Sequence, residues 1–241
     1  MNDYFFDDIC YNKHNPKHII MNRLLISAFC LLLTGNVFAQ GVKFGFHIDP
    51  VLGWLKPDEK NISSTGVRIG FNYGLMLDFY FSENYAITTG VTIAQNGGKI
   101  KYDDADTLFP KTFPGTGFPA STEIKFNFQN LQIPFALKLK TNEIGYITYF
   151  GEVGVDNRFN IRTTGDIITP NAVDDRVDEK LAKDVRVFNL ALHIGAGIEY
   201  SLSEKTAFVG GIYFSNGFTD ITGFKGHVEQ NYLAIRLGIH F

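Results

Sequence analysis

The chain has 241 residues, a formal net charge of −3, 45 % hydrophobic residues and an aromatic share of 15 %. This charge excludes the strongly basic surface that nucleic-acid binding needs, so we expect no nucleic-acid partner. The length is enough for one domain, and no apolar run after residue 39 approaches the roughly 20 residues of a membrane helix.

The first predicted element is an export signal. Met21 opens it, Arg23 supplies a positive charge, and an apolar stretch at 24–33 follows that is too short to span a bilayer. A cleavage site of the small-x-small type ends at Ala39. This pattern is typical of a secretory signal peptide, so we expect a cut after Ala39.

The signal divides the chain into three parts. We predict an over-extended upstream stretch at 1–20, the signal peptide at 21–39 and a single domain at 40–241. Cys10 and Cys30 are the two cysteines of the sequence, and both precede the cut. The mature protein is therefore expected to lack disulfides and thiolate metal sites.

Alternating apolar and polar residues dominate the predicted domain. Between Val67 and Phe81 every odd-numbered residue is apolar or aromatic, while most even-numbered residues are small or polar. A period of two is that of a strand, and the segment exceeds the ordinary globular strand of about 5–6 residues. It matches a tilted membrane-crossing strand of about 9–11 residues with some overhang. The predicted strands are 42–48, 67–81, 85–93, 131–139, 147–156, 188–200, 208–214 and 233–241.

One predicted strand contains an irregularity. Phe126 and Phe128 have the opposite parity to the apolar residues that begin at Leu131. A β-bulge near Gln129 and Asn130 would bring all of them to the same face, so we predict one there.

Short and long connections alternate between the predicted strands. The short turns are 82–84, 141–143 and 203–205, and the long connections are 54–65, 97–123, 163–184 and 216–228. Outer-membrane barrels have short periplasmic turns and long external loops, so we expect both chain ends on the periplasmic side.

The two faces of the strands favour a membrane barrel. The apolar face is aromatic and lacks charge, as contact with lipid requires. The other face carries small residues and single charges of both signs, which suit a narrow barrel interior where buried charges pair. We predict an all-β fold, an eight-stranded antiparallel transmembrane β-barrel of the small outer-membrane protein type. A soluble lipid-binding barrel of the lipocalin type, with its apolar face inside, is the alternative.

The charges on the polar face are predicted to form a lumenal ion-pair network. The candidates are Arg68, Asp78, Lys138, Lys140, Glu152, Asp156, Glu199 and Arg236. Arg158 and Arg162 extend the charged face of one strand, for which a solute path is the alternative. Aromatic residues near the strand ends are expected to form interfacial girdles. They are Trp54, Phe81, Tyr85, Tyr200 and Phe241.

Catalytic signatures are absent from the sequence of the predicted domain. It contains no nucleophile elbow, no phosphate-binding glycine loop and no HExxH motif, so we predict no enzyme activity, no cofactor and no metal. His47, His193 and His240 share the lumenal parity and are expected to fill the lumen; a metal or catalytic histidine site is the alternative. An enzyme that acts on lipid would need a cluster of Ser, His or Asp at the external rim.

The longest predicted loop carries three aromatic-proline pairs, which begin at Phe109, Phe113 and Phe118. Loops on a rigid scaffold often carry function. We predict that these rings form an external contact surface for a partner, a glycan or a neighbouring membrane protein. A loop that folds back to cap the barrel rim is the alternative.

Five segments together carry a resemblance to a known family. They are GVKFGFHID, which follows FAQ, and then FYFSENYAITTGVTIAQNGGKI, FNFQNLQIPFALKLK, FGEVGV and YLAIRLGIHF. In this order and spacing, residues 40–241 resemble the PorT-like outer membrane β-barrel proteins of Bacteroidetes. The resemblance implies a link to the secretion and gliding machinery of that phylum. Phe241 is similar to the terminal aromatic residue that such proteins present to the barrel-assembly machinery.

The predicted function is that of an integral outer-membrane protein with a structural, adhesion or envelope-complex role through its external loops. The expected partners are outer-membrane lipid, the barrel-assembly machinery and an envelope protein. An accessory component of a secretion or gliding machine and a soluble lipid-binding barrel are the alternatives.

Overall fold

The computed structural model describes residues 41–104, 108–171 and 175–241, and residues Gly41–Phe241 form one compact unit. The predictions for the over-extended start, the signal peptide and the two cysteines lie outside the described residues. None of the helical segments in the described ranges is long and apolar enough to cross a membrane.

The described part of the chain is built from nine strands and a single 3-10 turn. The strands are β1 (Val42–Pro57), β2 (Ile62–Ser82), β3 (Tyr85–Tyr102), β4 (Thr122–Lys140), β5 (Ile147–Ile168), β6 (Arg176–Lys180), β7 (Phe188–Ser201), β8 (Ala207–Gly217) and β9 (Val228–His240). The 3-10 turn, Ala182–Asp184, lies between β6 and β7.

Antiparallel pairing closes eight of these strands into a ring. The sheet order is β4-β3-β2-β1-β9-β8-β7-β5-β6, and β4 also pairs with β5. The short β6 pairs only with the far part of β5, between Thr164 and Ile167, and so stays outside the ring. The predicted eight-stranded antiparallel barrel is confirmed. We call the end with the β2–β3, β4–β5 and β7–β8 turns the turn end, and the opposite end the loop end.

The strands extend further at the loop end than predicted. β1 continues to Pro57 and β2 begins at Ile62, so the predicted long connection at 54–65 shrinks to 58–61. Backbone pairing persists here although the outward residues, such as Lys56 and Ser63, have become polar. The apolar alternation stops where contact with lipid stops, whereas the hydrogen-bond ladder continues.

The predicted bulge is on the neighbouring strand. Gln129 pairs with Arg162 and Asn130 with Asn160, so the extra residue, Ile161, belongs to β5. β4 therefore keeps its parity, and Phe126 and Phe128 point inward, where both are buried. The expectation that these two rings share the face of Leu131 is wrong, because the barrel interior is apolar at their level.

The outward face of the barrel is apolar. Large exposed hydrophobic side chains line every strand of the ring, for example Phe46, Leu75, Phe135, Ile194 and Ile235. A lipocalin-like barrel would bury this face, so the soluble alternative is wrong. The aromatic residues predicted for the girdles lie near strand ends and pack against other rings. The pairs are Trp54–Phe214, Phe81–Tyr85, Tyr146–Tyr200 and Phe44–Phe241.

The lumen changes from charged to apolar along its length, as β4 alone demonstrates. From the turn end to the loop end, its inward residues include Lys138, then Gln132 and Asn130, then Phe128 and Phe126. The two phenyl rings stack with centroids 5.4 Å apart. Along β4 the interior is therefore charged at the turn end, which we call the charged layer, carries amides in the middle and is apolar at the loop end.

An apolar cluster, which we call the apolar cap, closes the loop end. It contains Leu55, Ile62, Ile100, Tyr102, Leu108, Phe109, Phe118, Ile124, Phe126, Phe128, Ile167, Leu181, Val185, Ile221 and Val228. Its residues come from both the strand extensions and the long connections. Burial of this many large apolar side chains drives the connections down onto the barrel mouth.

Candidate functional site

The charged layer at the turn end is organised around Lys138. The Lys138 ammonium donates to Asp78 Oδ2 at 2.7 Å and lies 2.8 Å from Glu199 Oε1 and 3.6 Å from Glu152 Oε1. Lys140 donates to the other oxygen of Glu199 at 2.5 Å. The three carboxylates project from β2, β5 and β7 and both lysines from β4, so the ion pairs tie four strands together across the lumen.

A second cluster lies nearer the middle of the lumen, around Asp156. His193 Nδ1 lies 3.0 Å from Asp156 Oδ1, and Ser215 Oγ donates to Asp156 Oδ2 at 2.5 Å. Arg158 donates to Ser215 Oγ at 2.5 Å, and the Nε2 atom of His193 lies 3.4 Å from Glu152. His193 thus links the middle cluster to the charges of the turn end.

A third cluster joins β1 to β9 through Asp49. Arg236 donates to Asp49 at 3.1 Å, and its guanidinium lies 3.9 Å from the centroid of the Tyr213 ring. His47 hydrogen-bonds Asp49 at 2.9 Å and Thr92 at 3.0 Å. Every charge in this cluster is buried and partnered, as a low-dielectric interior demands.

The three clusters contain seven of the eight residues predicted for the lumenal network. They are Asp78, Lys138, Lys140, Glu152, Asp156, Glu199 and Arg236. Arg68 makes no ion pair within the described ranges. It lies nearer the loop end than the charged layer does, and the aliphatic part of its side chain runs beside Gly97. Its assignment to the network is wrong.

Sequence reasoning missed Asp49 and underestimated the histidines. Asp49 shares the parity of His47, but Pro50 follows it and interrupts the alternation by which the strand was recognised. Asp49 and His47 are nevertheless fully buried members of the third cluster. The signal that could have found Asp49 was a lone carboxylate two positions after a lumenal histidine.

The geometry of the middle cluster is not that of a catalytic triad. In a triad the serine hydroxyl hydrogen-bonds the imidazole, which takes its proton. Here Ser215 donates to Asp156, which stands between Ser215 and His193, and the Ser215 side chain is buried. The arrangement therefore fixes side chains and offers no accessible nucleophile.

A potential metal-binding group also lies in the charged layer. Asp78, Glu199 and His240 each offer a ligand atom within 4.8 Å of the others. The Lys138 ammonium already lies between the two carboxylates, at 2.7 Å and 2.8 Å. A metal cation there would lie against a fixed positive charge, so these residues do not fit a metal ion.

The charged layer meets solvent at the turn end. A polar recess of about 260 Å³ opens there, and Lys43, Lys140 and Glu199 line part of it. Lys43 is the most exposed of these cations and lies 3.8 Å from Glu199. Water can thus reach the outermost ion pairs, whereas Lys138 is only 2 % exposed.

The connections at the loop end are tied to one another by Asp184. This buried carboxylate accepts hydrogen bonds from the backbone of Lys111 at 2.9 Å and from Thr112, through both backbone at 2.9 Å and hydroxyl at 2.5 Å. Its own carbonyl accepts from Gly223 at 2.8 Å. Three connections, β3–β4, β5–β7 and β8–β9, therefore meet at a single residue.

The three phenylalanines of the β3–β4 connection lie within or against the apolar cap. Phe109 and Phe118 are buried, and Phe113 packs against them while the Arg176 guanidinium lies 4.3 Å from its ring centroid. Buried rings cannot contact a partner. The predicted external contact surface is therefore wrong for Phe109 and Phe118, and the loop folds back over the rim as the alternative proposed.

A closed ring of long amphipathic strands with lipid-compatible residues outside and paired charges inside defines a transmembrane barrel of the outer-membrane class. The family model described as outer membrane protein beta-barrel domain matches residues 33–223, and the chain belongs to this family. The protein is an integral protein of the outer membrane.

Solved structures provide further points of comparison. Neisserial surface protein A is 10 % identical, covers 84 % of this chain and 100 % of its own length, and has a TM-score of 0.46. OprG from Pseudomonas aeruginosa is 12 % identical, covers 83 % of this chain and 94 % of its own length, and has a TM-score of 0.43. A major outer membrane protein from Thermus thermophilus is 11 % identical, with coverages of 84 % and 99 % and a TM-score of 0.44. No curated protein matches the chain.

Proposed function

We propose that this protein is a non-enzymatic outer-membrane barrel whose loop end presents a rigid surface to a partner in the cell envelope or outside the cell. The observation that carries the proposal is the apolar cap together with the Asp184 tie. A mobile set of loops would bind at a cost in ordering entropy, whereas preordered connections avoid that cost. In outer-membrane barrels the short turns face the periplasm, so the capped end faces outward.

The filled lumen supports a binding role over a transport role. Phe126 and Phe128 stack on each other inside the loop end, and nearer the turn end Arg158 is buried with its guanidinium bonded to Ser215 and to the Gln230 carbonyl. A solute would have to displace both layers. In a barrel of eight strands, side chains are expected to fill the interior.

The surface that fits a partner best is the hairpin strand β6. Its Val177 is 78 % exposed and charged residues of both signs surround it, among them Asp178 and Lys180. Neighbouring Arg176 anchors β6 on the Phe113 ring of the apolar cap. An exposed apolar residue on an anchored strand, with a polar rim, is the anatomy of a small contact patch.

Photo-crosslinking in intact cells tests this contact patch. A photoreactive residue at Val177 should give discrete crosslinks to a protein or glycan of the cell envelope. The matched control is the same residue at Leu202, which is 59 % exposed but lies in a turn at the opposite end. Equal crosslinking at both positions, or none at Val177 in heat-modifiable, correctly inserted protein, would refute the proposed surface.

The proposed function includes no enzyme activity. Ser215 and His193, the residues nearest to a nucleophile and base pair, lie in the buried middle cluster and do not contact each other within hydrogen-bond range. Retention of all binding phenotypes by a Ser215→Ala variant would support this assignment. Loss of a lipid-modifying activity in that variant would contradict it.

The resemblance to PorT-like proteins favours a second role, as an accessory component of a secretion or gliding machine. It rests on the sequence segments around residues 40–241. Deletion of the gene should then impair protein secretion or gliding while leaving the amounts of other outer-membrane proteins unchanged. Normal secretion and motility in the deletion strain would exclude this role and leave the contact proposal intact.

A further inference from the structure

A second group of potential metal ligands lies at the loop end, outside the lumen. Asp58, His227 and Glu229 each offer one ligand atom, and these atoms lie within 4.8 Å of one another. Asp58 begins the β1–β2 connection, while His227 and Glu229 flank the start of β9. The group thus joins two connections that are far apart in the sequence.

The backbone holds these ligands in place. Lys56 pairs with Glu229 and Pro57 with Val228 in the ladder between β1 and β9. Beyond the ladder, the Asp58 amide donates to the His227 carbonyl at 3.0 Å. The spacing of the three side chains is therefore set by the sheet, and little ordering of the chain is needed before an ion binds.

Two of the three side chains, Asp58 and His227, are accessible and have no hydrogen-bond partner among the described residues. In the described part of the chain, neither the Asp58 carboxylate nor the His227 ring makes a hydrogen bond, and His227 is 42 % exposed. The Nε2 atom of His227 lies 3.9 Å from Glu229 Oε1, which is too long for a hydrogen bond. Two ligand atoms that each lie about 2.1 Å from the same metal ion can be separated from each other by this 3.9 Å or slightly less.

The chemistry of the donors favours a particular class of ion. A neutral imidazole with two carboxylates suits Zn²⁺ and other divalent first-row transition metals, whereas Ca²⁺ and Mg²⁺ prefer oxygen donors alone. Three ligands from the protein leave room for water, as in open metal sites. Glu59 adds a third carboxylate nearby, since its Oε2 would lie 3.6 Å from a Cβ atom at Gly226.

Lys56 competes with a metal ion for Glu229. Lys56 Nζ lies 3.4 Å from Glu229 Oε2. The pair uses Oε2, whereas Oε1 is the oxygen 3.9 Å from His227, and Lys56 is 59 % exposed, so its attraction is weakened by solvent. This differs from the group in the charged layer, where the buried Lys138 ammonium lies 2.7 Å from Asp78.

We propose that Asp58, His227 and Glu229 bind a divalent transition-metal ion, for which Zn²⁺ is the probe. The ion clips the β1–β2 connection to the β8–β9 connection at 218–227 and so fastens one side of the loop end. Because the metal binds only the folded arrangement, it stabilises that side against local opening in proportion to its occupancy.

Competition with a chromogenic chelator tests the site. The full-length mature barrel, refolded in detergent and freed of metal, is titrated with Zn²⁺, and one ion per chain is expected. His227→Ala should weaken binding by at least about tenfold, since even residues behind the ligands alter affinity by that factor. Glu229→Gln should also weaken it, and Lys56→Met should strengthen it. Asp103→Asn is the control, because it removes an exposed carboxylate elsewhere at the loop end.

A second measurement separates a bound ion from general surface affinity. Zn²⁺ should slow proteolytic cleavage within 218–227 in the unmodified protein and have no such effect in His227→Ala. All variants should retain heat-modifiable migration, because these side chains lie outside the lumenal ion-pair clusters and the apolar cap. Binding that is unchanged in His227→Ala, or that falls equally in Asp103→Asn, would overturn the proposal. So would binding that needs millimolar Zn²⁺.

Discussion

Replacing Lys138 by methionine removes the cation that holds the charged layer together. Asp78 and Glu199 lose a partner at 2.7 Å and 2.8 Å, and Glu152 loses one at 3.6 Å. All these side chains are at most 3 % exposed, so solvent cannot replace the lost charge. Removing one partner of a buried ion pair costs about 3–5 kcal/mol, and we expect Lys138→Met to lower the free energy of unfolding by that amount.

Equilibrium unfolding by urea in lipid vesicles measures this loss, since the midpoint and slope give the free energy. Lys43→Met is the matched control. Lys43 also faces Glu199, at 3.8 Å, but it is 40 % exposed, and an exposed pair contributes less than about 1 kcal/mol. Adding Asp78→Asn to Lys138→Met should recover part of the loss, because it removes a carboxylate that would otherwise stay unpaired. A loss below about 1 kcal/mol for Lys138→Met would refute the reasoning.

Two further predictions concern the loop end and the lipid face. Asp184→Ala removes the acceptor for Lys111 and Thr112, so we expect faster proteolytic cleavage within 108–121 while the barrel keeps its heat-modifiable migration; unchanged cleavage would contradict the tie. Ile235→Lys places a charge on the outward face, where Ile235 is 56 % exposed, and should cost about 2–4 kcal/mol in vesicles. The same substitution should lower the free energy of unfolding only slightly in detergent micelles, where the lysine can reach water. An equal loss in vesicles and in micelles would show that Ile235 does not face lipid.

The sequence predicted the barrel because two physical requirements act locally. Lipid demands an apolar outward face, and a strand presents every second residue to it, so segments such as Val67–Phe81 carry the signal in their own order. The charges opposite that face, Lys138 and Glu152 among them, could be assigned to the lumen for the same reason. Their partners could not, since which charges meet depends on the register of strands distant in the chain.

At the level of the apolar cap, apolar residues no longer mark the outward face of a strand. At the level of Phe126 and Phe128 the outward side of β4 faces water and the inward side is a hydrophobic core. An inward phenylalanine there avoids water by entering the hydrophobic core. Leu131, nearer the turn end, avoids water by facing outward into lipid. The sequence does not mark the height at which the surroundings change, so the bulge was predicted on the wrong strand.

The sequence by itself determined the class of fold, the membrane-facing side and most of the lumenal charges, because each follows from alternation within a strand. Tertiary structure alone decided the rest. It closed the loop end with rings from the β3–β4 connection, tied three connections through Asp184, left Arg68 outside the network and joined Asp58 to His227. Each of these contacts links residues distant in the chain, and no local pattern encodes which of them meet once the ring has closed.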